Sequence, residues 1–425
     1  MLSVVASRNE SPPINPVISR SGKGILFISY NGLLDPLGGS QILPYLERLN
    51  RTWPVHILTY ERADKVQDSI ARRSLSDRLR TGHIGWTTLR YHKWPSLPAT
   101  TYDVVLGQLV AKRLVRAKNI GLIHCRGYVP MTVGIGLSRD VPLLFDIRGL
   151  QAEEYVDGGT WRAGELKWSL AKTFERKFLQ RAAAAVVLTN NIKPHVSDLF
   201  AREGRAVPIE VIPCCVDLDR FRIDESARQR VRSDLGIDSE TIVLVYSGTL
   251  GTWYRPKEMA RFARTFRDIS RKPTCLLWLV NNDHELAREA STAAELQPHE
   301  YRITSATSLD VPAFLSASNC ALALIAPTFS KRASSPTKYA ECLAMGLPLV
   351  IHGTVGDGQE IVARKGAVSL PFPCSDEQMA NAARQLLSLM RLTADHFRRI
   401  ASDLFDIDRV ALPRYESLYR SLLRG

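Results

Sequence analysis

Short apolar runs alternate with helical stretches along almost the whole chain, and this alternation restricts the fold more than any other feature. The runs are four to six residues long and rich in Val, Ile and Leu. They lie at residues 25–28, 55–58, 122–125, 143–147, 184–188, 209–212, 242–246, 275–280, 320–325 and 347–351. Strands that alternate with helices form βαβ units, whose parallel sheets are covered on both faces. The pattern therefore predicts a doubly wound α/β protein.

The chain is too long for one hydrophobic core, because 425 residues exceed the usual size of a single domain. The two groups of predicted strands meet in a charged stretch near residues 215–240. We therefore predict two Rossmann-like domains, at residues 24–215 and 216–409, and a disordered tail at residues 1–23. Ligands of such sheets bind beyond the carboxyl ends of the strands, so both domains should face a shared cleft.

Composition favours a cytoplasmic protein. The sequence holds no apolar run of 18 residues, so we do not expect a helix that spans a membrane. The seven cysteines show neither a C-x-x-C pair nor zinc-ligand spacing, which is typical of reduced, buried thiols. Asp217-Leu218-Asp219 spells a D-x-D sequence, but it lies in the predicted linker, so we expect no metal site there.

Positive charge is concentrated in one region of the first half. Of the formal net charge of +13, a large share lies in residues 71–118, which hold ten cations and two anions with interleaved tryptophan and tyrosine. Residues 109–116 could form a basic amphipathic helix. Such a region attracts anionic lipid, and the competing interpretation is a solvated basic face. Binding to nucleic acid is the least favoured alternative.

Residues 334–348 have the features of a helix with marked ends. Ser335 is a natural N-cap and Pro336 suits the first helical position, while Gly346 suits the C-terminal cap. Lys338 and Glu341 are three residues apart and so share one face. Together they could hold a diphosphate and the two hydroxyls of a ribose. The alternative is an ordinary surface ion pair.

These residues resemble those of glycosyltransferase family 4, the retaining enzymes with the GT-B fold. The resemblance rests on several ordered segments that cover about residues 24–425. They are Pro336-Thr337-Lys338 with Glu341, the segments at residues 29–41, 146–150 and 211–217, and the segment at residues 246–254. The resemblance implies two Rossmann-like domains facing a cleft, and a last helix at residues 410–425 that packs on the first domain.

The resemblance, together with positions after predicted strands, suggests candidate site residues. Gly38 and Gly39 should offer backbone donors, and His124, Arg126 and Arg148 should contact the donor sugar, a phosphate or the acceptor. Lys338 and Glu341 should bind the phosphates and the ribose of the donor, and Lys331 and Arg332 should add positive charge. Glu153 and Glu154 are weaker candidates for contacts with acceptor hydroxyls.

Two positions depart from the family pattern. Ala333 stands where many members have a carboxylate eight residues before the ribose ligand. Residues 249–254 lack the arginine and lysine that many members use to bind the diphosphate. Either Lys331, Arg332 and Lys338 replace those cations, or binding of the diphosphate is weak.

The expected function is transfer of a sugar from a nucleoside-diphosphate sugar to a hydroxyl of a lipid-linked glycan or polysaccharide precursor. The enzyme would work in the cytoplasm at the inner membrane face, with no metal or cofactor. Two alternatives stay open: a nucleotide-sugar 2-epimerase on the same fold, and a non-catalytic protein that binds nucleotide sugars. The sequence does not identify the donor base, the sugar or the acceptor.

Overall fold

The first half of the chain forms a seven-stranded parallel sheet in the computed structural model, which describes residues 22–137 and 139–424. The strand order is β3-β2-β1-β4-β5-β6-β7. The strands are β1 (Gly24–Ser29), β2 (Val55–Glu61), β3 (Gly85–Arg90), β4 (Ile120–Arg126), β5 (Leu143–Asp146), β6 (Ala184–Val187) and β7 (Ile209–Val211). The helices are α1 (Pro36–Gln41), α2 (Leu43–Leu49), α3 (Ala63–Val66), α4 (Ser69–Thr81), α5 (Ser96–Ala117), α6 (Tyr128–Ile135), α7 (Gln151–Asp157), α8 (Leu166–Arg181) and α9 (Lys193–Arg202).

The second half repeats this plan with a six-stranded parallel sheet in the order β10-β9-β8-β11-β12-β13. Its strands are β8 (Ile242–Ser247), β9 (Thr274–Leu279), β10 (Tyr301–Thr304), β11 (Cys320–Ala323), β12 (Leu349–Ile351) and β13 (Ala367–Ser369). Its helices are α10 (Glu225–Asp234), α11 (Pro256–Ser270), α12 (His284–Ala293), α13 (Val311–Ser316), α14 (Thr337–Ala344), α15 (Gly358–Ala363), α16 (Asp376–Leu389) and α17 (Ala394–Phe405). The final α18 (Leu412–Arg424) follows a π-helical turn, and a 3₁₀ turn, Ser330–Ala333, precedes α14. The prediction of two doubly wound domains is confirmed.

Both sheets reverse their strand order at one place, which fixes where ligands can bind. The reversal lies between β1 and β4 in the first domain and between β8 and β11 in the second. Crevices open at such points because the loops on either side turn away from each other. The loops after these four strands therefore line the two halves of the cleft.

Three strands were not expected from the sequence: β3, β10 and β13. No residue of the first two is fully buried, whereas the central strands β1 and β9 are buried throughout. All three lie at sheet edges. An edge strand carries fewer apolar residues because one of its sides or ends meets solvent, so it does not produce a continuous apolar run.

The last helix joins the core of the first domain. Tyr415, Leu418 and Tyr419 of α18 lie in the same apolar cluster as Ile25 and Phe27 of β1. The chain reaches this position after a short bridge in which Val216 pairs with Asp406. The two connections between the domains therefore run side by side.

Other boundaries shift slightly from the expected ones. The apolar and charged residues at 161–181 predict a long amphipathic helix, and the helix in the structure begins at Leu166. Most of the expected tail, residues 1–21, lies outside the described residues. Among the described helices, none has both the length and the apolar character that crossing a membrane requires.

Candidate functional site

The loops that follow the parallel strands of the two domains contact one another across the cleft. The hydroxyl of Thr189, after β6, donates to the carbonyl oxygen of Arg332 at 2.7 Å. The amide of Asn190 donates to Asp357 of the second domain at 2.7 Å. The structure therefore describes a closed cleft in which the predicted site residues lie near the interface.

Glu341 lies half-buried on α14, and its carboxylate forms no hydrogen bond within the described part of the chain. Burial raises the pKa of Glu341, while the charges of Arg220 and Lys338 oppose that shift. A carboxylate with free lone pairs and nearby cations can accept hydrogen bonds from two neighbouring hydroxyls. The geometry is compatible with the predicted contact to a ribose.

Lys338 is held by two tyrosine rings. Its ammonium lies 4.3 Å from the ring centre of Tyr246 and 3.9 Å from that of Tyr254. It also donates to the hydroxyl of Tyr246 at 3.2 Å. A Cβ atom added at Gly248, just after β8, would lie 3.1 Å from the ammonium nitrogen. The cation is thus fixed beside the backbone at the reversal point of the second sheet.

The start of α14 differs from the prediction. The N-cap is Pro336, and the helix begins at Thr337. The hydroxyl of Ser335 instead accepts a hydrogen bond from the amide of Cys214, across the domain boundary. The difference arises from a tertiary contact, because the segment after β7 passes close enough for the amide of Cys214 to donate to the Ser335 hydroxyl.

The charged groups of Lys331 and Arg332 contact residues of the first domain, so they are not free in the cleft. The ammonium of Lys331 lies 2.9 Å from Glu154 of α7 and 3.9 Å from the ring centre of Trp253. The guanidinium of Arg332 donates to the side-chain oxygen of Asn191. Lys331 and Arg332 could bind the donor, as expected, only if they gave up these contacts for contacts with the donor.

Ala333 also belongs to the contact between domains. It is 2% exposed and packs in the apolar cluster of the first domain that contains Phe145 and Val187. The position that holds a carboxylate in many family members is therefore occupied here by an apolar contact.

His124 is buried behind the cleft instead of lining it. Its Nδ1 lies 2.6 Å from the hydroxyl of Tyr419 on α18, and its Nε2 lies 3.4 Å from Asp146. Burial lowers the pKa of His124 even though Asp146 opposes the shift. The side chain is 1% exposed, so the expected contact with a donor sugar does not fit this geometry.

Arg126 and Arg148 extend beyond the ends of β4 and β5 and line a common cavity. Arg148 lies 3.4 Å from Asp146 and donates to the sulfur of Cys214 at 3.1 Å. Burial would raise the pKa of Asp146, but the Arg148 charge and His124 hold it at about 2. Arg148 therefore has a permanent anionic partner inside the protein.

Gly38 and Gly39 do not form the open loop that was expected. Both lie in α1, and their amides donate to the carbonyl oxygen of Asp35. A Cβ at Gly38 would come within 2.3 Å of the carbonyl oxygen of Gly32. This close approach requires a glycine at position 38. Since both amides donate to Asp35, neither is free to bind a phosphate in this arrangement.

Several side chains that shape the cleft were not predicted in the roles that they have. Tyr246 and Tyr254 hold Lys338, and Trp253 and Glu154 hold Lys331. Glu154 was expected to contact the acceptor, not a lysine. Tyr254 lies in residues 249–254, where the family pattern has cations, so an aromatic residue at that place could have indicated a contact with a lysine. Asp217 of the D-x-D sequence forms an ion pair with Arg48, and the described residues contain no cluster suited to a metal ion.

Two Rossmann-like domains that close on each other across a cleft form the GT-B architecture. A family model described as Glycosyltransferase Family 4 matches residues 42–220, and one described as Glycosyl transferases group 1 matches residues 241–389. The chain therefore belongs to the GT-B glycosyltransferases and carries the family 4 signature. It is a glycosyltransferase.

Solved structures of the same fold span nearly the whole chain. A sucrose-phosphate synthase from Thermosynechococcus elongatus is 17% identical, with a TM-score of 0.68 over 94% of this chain and 99% of its own. A glycosyltransferase from Rickettsia africae is 13% identical, with a TM-score of 0.71 over 95% and 100%. Anabaena HepE in complex with UDP-glucose is 16% identical, with a TM-score of 0.63 over 93% and 99%. A search of curated protein sequences found no match.

Proposed function

We propose that this glycosyltransferase moves a sugar from a nucleoside-diphosphate sugar to a hydroxyl of a lipid-linked glycan or polysaccharide precursor, with retention of anomeric configuration. The observation that carries the donor half is the pair Lys338 and Glu341 on α14. One is a fixed cation beside the reversal point of the second sheet, and the other is an unpartnered carboxylate one turn further on.

Binding of the donor follows from these two charges. The ammonium of Lys338 faces the diphosphate, and the carboxylate of Glu341 accepts hydrogen bonds from the two ribose hydroxyls. HepE binds UDP-glucose on the same fold, which supports a nucleotide sugar as the donor here. The base remains open, because none of these side chains distinguishes uracil from guanine.

Catalysis in this proposal relies on position and electrostatics. Closure of the cleft excludes water and aligns the acceptor hydroxyl with the anomeric carbon. Lys338 stabilises the negative charge that develops on the departing diphosphate. The acceptor hydroxyl attacks from the face that the diphosphate leaves, and the leaving phosphate takes the proton, as the family resemblance implies. No step uses a metal ion.

A surface on α5 supports a membrane-bound acceptor. Apolar side chains on and just before this helix are exposed by half or more of their area: Trp94, Leu97, Tyr102, Val105 and Leu109. The exposed cations Lys112, Arg113 and Arg116 continue along the same helix. An apolar stripe bordered by cations binds the interface of an anionic bilayer. We therefore place the enzyme at the cytoplasmic face of the inner membrane.

The same helix connects this surface with the cleft. Asp103 on the inner face of α5 is fully buried and accepts a hydrogen bond from the hydroxyl of Tyr30 at 2.8 Å. Tyr30 lines the cavity that also contains Arg126 and Arg148. If α5 holds the enzyme on the membrane, the glycan of a membrane-bound acceptor would lie next to the first domain's side of the cleft.

The donor half is tested by a thermal-shift screen of the purified protein with UDP-, GDP- and dTDP-sugars. A ligand present at 100 times its Kd stabilises the folded state by about 2.7 kcal/mol. We expect one nucleotide series to raise the Tm, and Glu341→Ala to abolish the shift. Glu289→Ala, an exposed glutamate on α12, is the matched control and should keep it.

The reaction itself is tested with the donor so identified. Transfer to membrane glycolipid extracts, followed by NMR of the product, should give the anomeric configuration of the donor. An inverted product would contradict retention. An epimerised nucleotide sugar formed without acceptor would indicate the epimerase instead. Binding without any turnover would favour the non-catalytic alternative, and no shift with any nucleotide sugar would contradict the donor site.

A further inference from the structure

Arg126 is a half-buried cation at the end of β4 that has no hydrogen-bonding partner in the described part of the protein. Its guanidinium forms no hydrogen bond, ion pair or ring contact within residues 22–137 and 139–424, in contrast to Arg148 beside it. Burial lowers the pKa of Arg126, and the charge of Arg148 lowers it further. An arginine nevertheless keeps its proton under all ordinary conditions, so the site carries an uncompensated positive charge.

The nearby carboxylates are already engaged. Asp146 attracts Arg126 electrostatically, but its two oxygens contact Arg148 and His124. Glu154 lines the same cavity and is paired with Lys331. The protein therefore leaves one guanidinium charge in this cavity unbalanced, and charges buried without a partner are costly.

The cavity is suited to a small anion attached to a larger molecule. It has a volume of about 300 Å³ and opens at the reversal point of the first sheet. Its wall includes Gly127, Tyr128 and Val129, which form the N-terminus of α6. Amides in the first turn of a helix have no partner within the helix, and they attract anions. Gly127 has φ of 88°, a backbone conformation that favours glycine.

We propose that Arg126 and the N-terminus of α6 bind an oxyanion, either a phosphate or a carboxylate, carried by the acceptor next to the hydroxyl that receives the sugar. This inference rests on the proposed function, because it gives the first domain's cavity to the acceptor. The phosphates of the donor are assigned to Lys338, in the other domain. The acceptor is therefore an anionic glycan and not a neutral one.

The test measures binding of small anions with the donor site filled. Protein saturated with the nucleotide that the thermal screen identifies is titrated by calorimetry with glucose 6-phosphate, glucuronate and glucose. We expect binding of the phosphate ester or the carboxylate, but not of glucose, and the stronger of the two identifies the anion. Arg126→Gln should weaken this binding by about tenfold or more, as expected for the loss of charge-assisted hydrogen bonds.

Two variants separate this site from other effects. Arg202→Gln removes an exposed arginine of α9 in the same domain and should leave anion binding unchanged. Arg126→Gln should also raise the Tm of the ligand-free protein, because it removes a partly buried charge that has no hydrogen-bonding partner. An arginine with a purely structural role would lower the Tm on substitution. Arg126→Met provides a second variant if the glutamine variant does not fold.

Three results would overturn the inference: no anion binds, glucose binds as well as the anions, or Arg126→Gln binds anions as tightly as the wild type. None of these results tests the role of Glu341, because the thermal-shift screen measures separately whether Glu341→Ala loses nucleotide binding. If no nucleotide sugar binds, the anion titration is made on the protein alone. Anion binding that depends on Arg126 would then contradict the proposed donor but support the anion site.

Discussion

Glu341 combines partial burial with a carboxylate that has no hydrogen-bond partner in the described residues. Burial raises its pKa above the usual 4.5, so the folded protein binds this proton more tightly than the unfolded chain does. Ionisation therefore costs stability in the free protein above the unfolded pKa. Hydroxyls of the donor's ribose would recover that cost on binding.

Binding of the donor should depend on the charge of Glu341. We expect affinity for the nucleotide sugar to fall as the pH drops from neutral towards the raised pKa of Glu341. Glu341→Gln should bind about tenfold or more weakly at neutral pH, because it loses charge-assisted hydrogen bonds, and should lack this pH dependence. Calorimetric titration between pH 7.5 and 5 checks both points. An unchanged pH profile in the variant would contradict the assignment.

The tyrosine rings around Lys338 make a second residue-level prediction. Tyr254→Leu removes one ring at 3.9 Å from the ammonium, which should weaken nucleotide binding by the worth of one cation–π contact, about 0.5–2 kcal/mol. Tyr254→Phe keeps the ring and is the matched control, so its Kd should stay close to that of the wild type. Equal losses in both variants would mean that the hydroxyl, and not the ring, matters.

Only part of this site could be predicted from the sequence. Lys338 and Glu341 share a helix, so their spacing in sequence fixes their spacing in space. Tyr246 reaches Lys338 from a position 92 residues away, and such contacts depend on how strands are ordered in the sheet. His124 lies near the end of a predicted strand, but α18 covers it, and a helix nearly 300 residues later in the chain leaves no local signal.

At the level of elements, α5 has two faces with different tasks. Its inner face buries Asp103 and Ala111, and its outer face exposes Val105 and Leu109. An isolated helix with this exposed apolar stripe would be a liability in a protein that stays in water. Contact with a bilayer interface, as proposed above, would account for it.

Vesicle binding tests this outer face. Leu109→Ser should reduce partitioning to anionic vesicles several-fold, because it removes a side chain from the apolar interface. Leu166→Ser on α8 is a matched control, since Leu166 is 84% exposed but lies on another helix. Lys112→Gln should cost about 1 kcal/mol on anionic vesicles and little on neutral ones. Equal binding by all variants would contradict a membrane role for α5.

Elements in the middle of each sheet could be predicted, whereas three of the four edge strands could not; the exception is β7. The central strands β1 and β8 are continuous apolar runs because helices cover both faces. The edge strand β3 reads Gly-Trp-Thr-Thr-Leu-Arg, and β10 reads Tyr-Arg-Ile-Thr. Each of these strands pairs with one neighbouring strand, but backbone pairing leaves no trace in side-chain hydrophobicity.

On the scale of the whole molecule, contacts between α7 and the segment before α14 are among those that hold the cleft closed. Glu154 pairs with Lys331, and Asp157 accepts a hydrogen bond from the amide of Ser330 at 2.8 Å. Glu154 is about one third exposed, so solvent screens this pair and its worth is about 1 kcal/mol or less. Contacts of this strength can open and close during turnover.

Weakening these contacts should open the cleft. The double variant Glu154→Gln, Asp157→Asn should increase the radius of gyration of the ligand-free protein in small-angle X-ray scattering, and saturating nucleotide should reverse part of the change. Asp198→Asn, an exposed aspartate on α9, is the control and should scatter like the wild type. An identical radius in every variant would mean that other contacts hold the domains.

The contact between α18 and β4 predicts a pH effect on stability. Burial lowers the pKa of His124, so the unfolded chain binds this proton more readily than the folded protein. Stability should therefore fall as the pH drops below about 6.5, the value for an unfolded histidine. Tyr419→Phe removes the partner of Nδ1 and should cost about 1–3 kcal/mol.

Urea unfolding at pH 8 and pH 5.5 measures both effects. Tyr102→Phe, on the exposed face of α5, is the matched control for the loss of a hydroxyl and should be close to neutral. A wild-type protein equally stable at the two pH values would contradict the burial of a neutral His124.

The position of α18 has a consequence for synthesis on the ribosome. Tyr415 and Tyr419 complete an apolar cluster whose other members begin at Ile25, so the first domain still lacks part of its interior when its own strands have emerged. The nascent chain must carry that open surface while the entire second domain is translated. We expect it to depend on chaperones during this interval, and a ribosome that stalls before residue 419 to release a product that proteases degrade quickly.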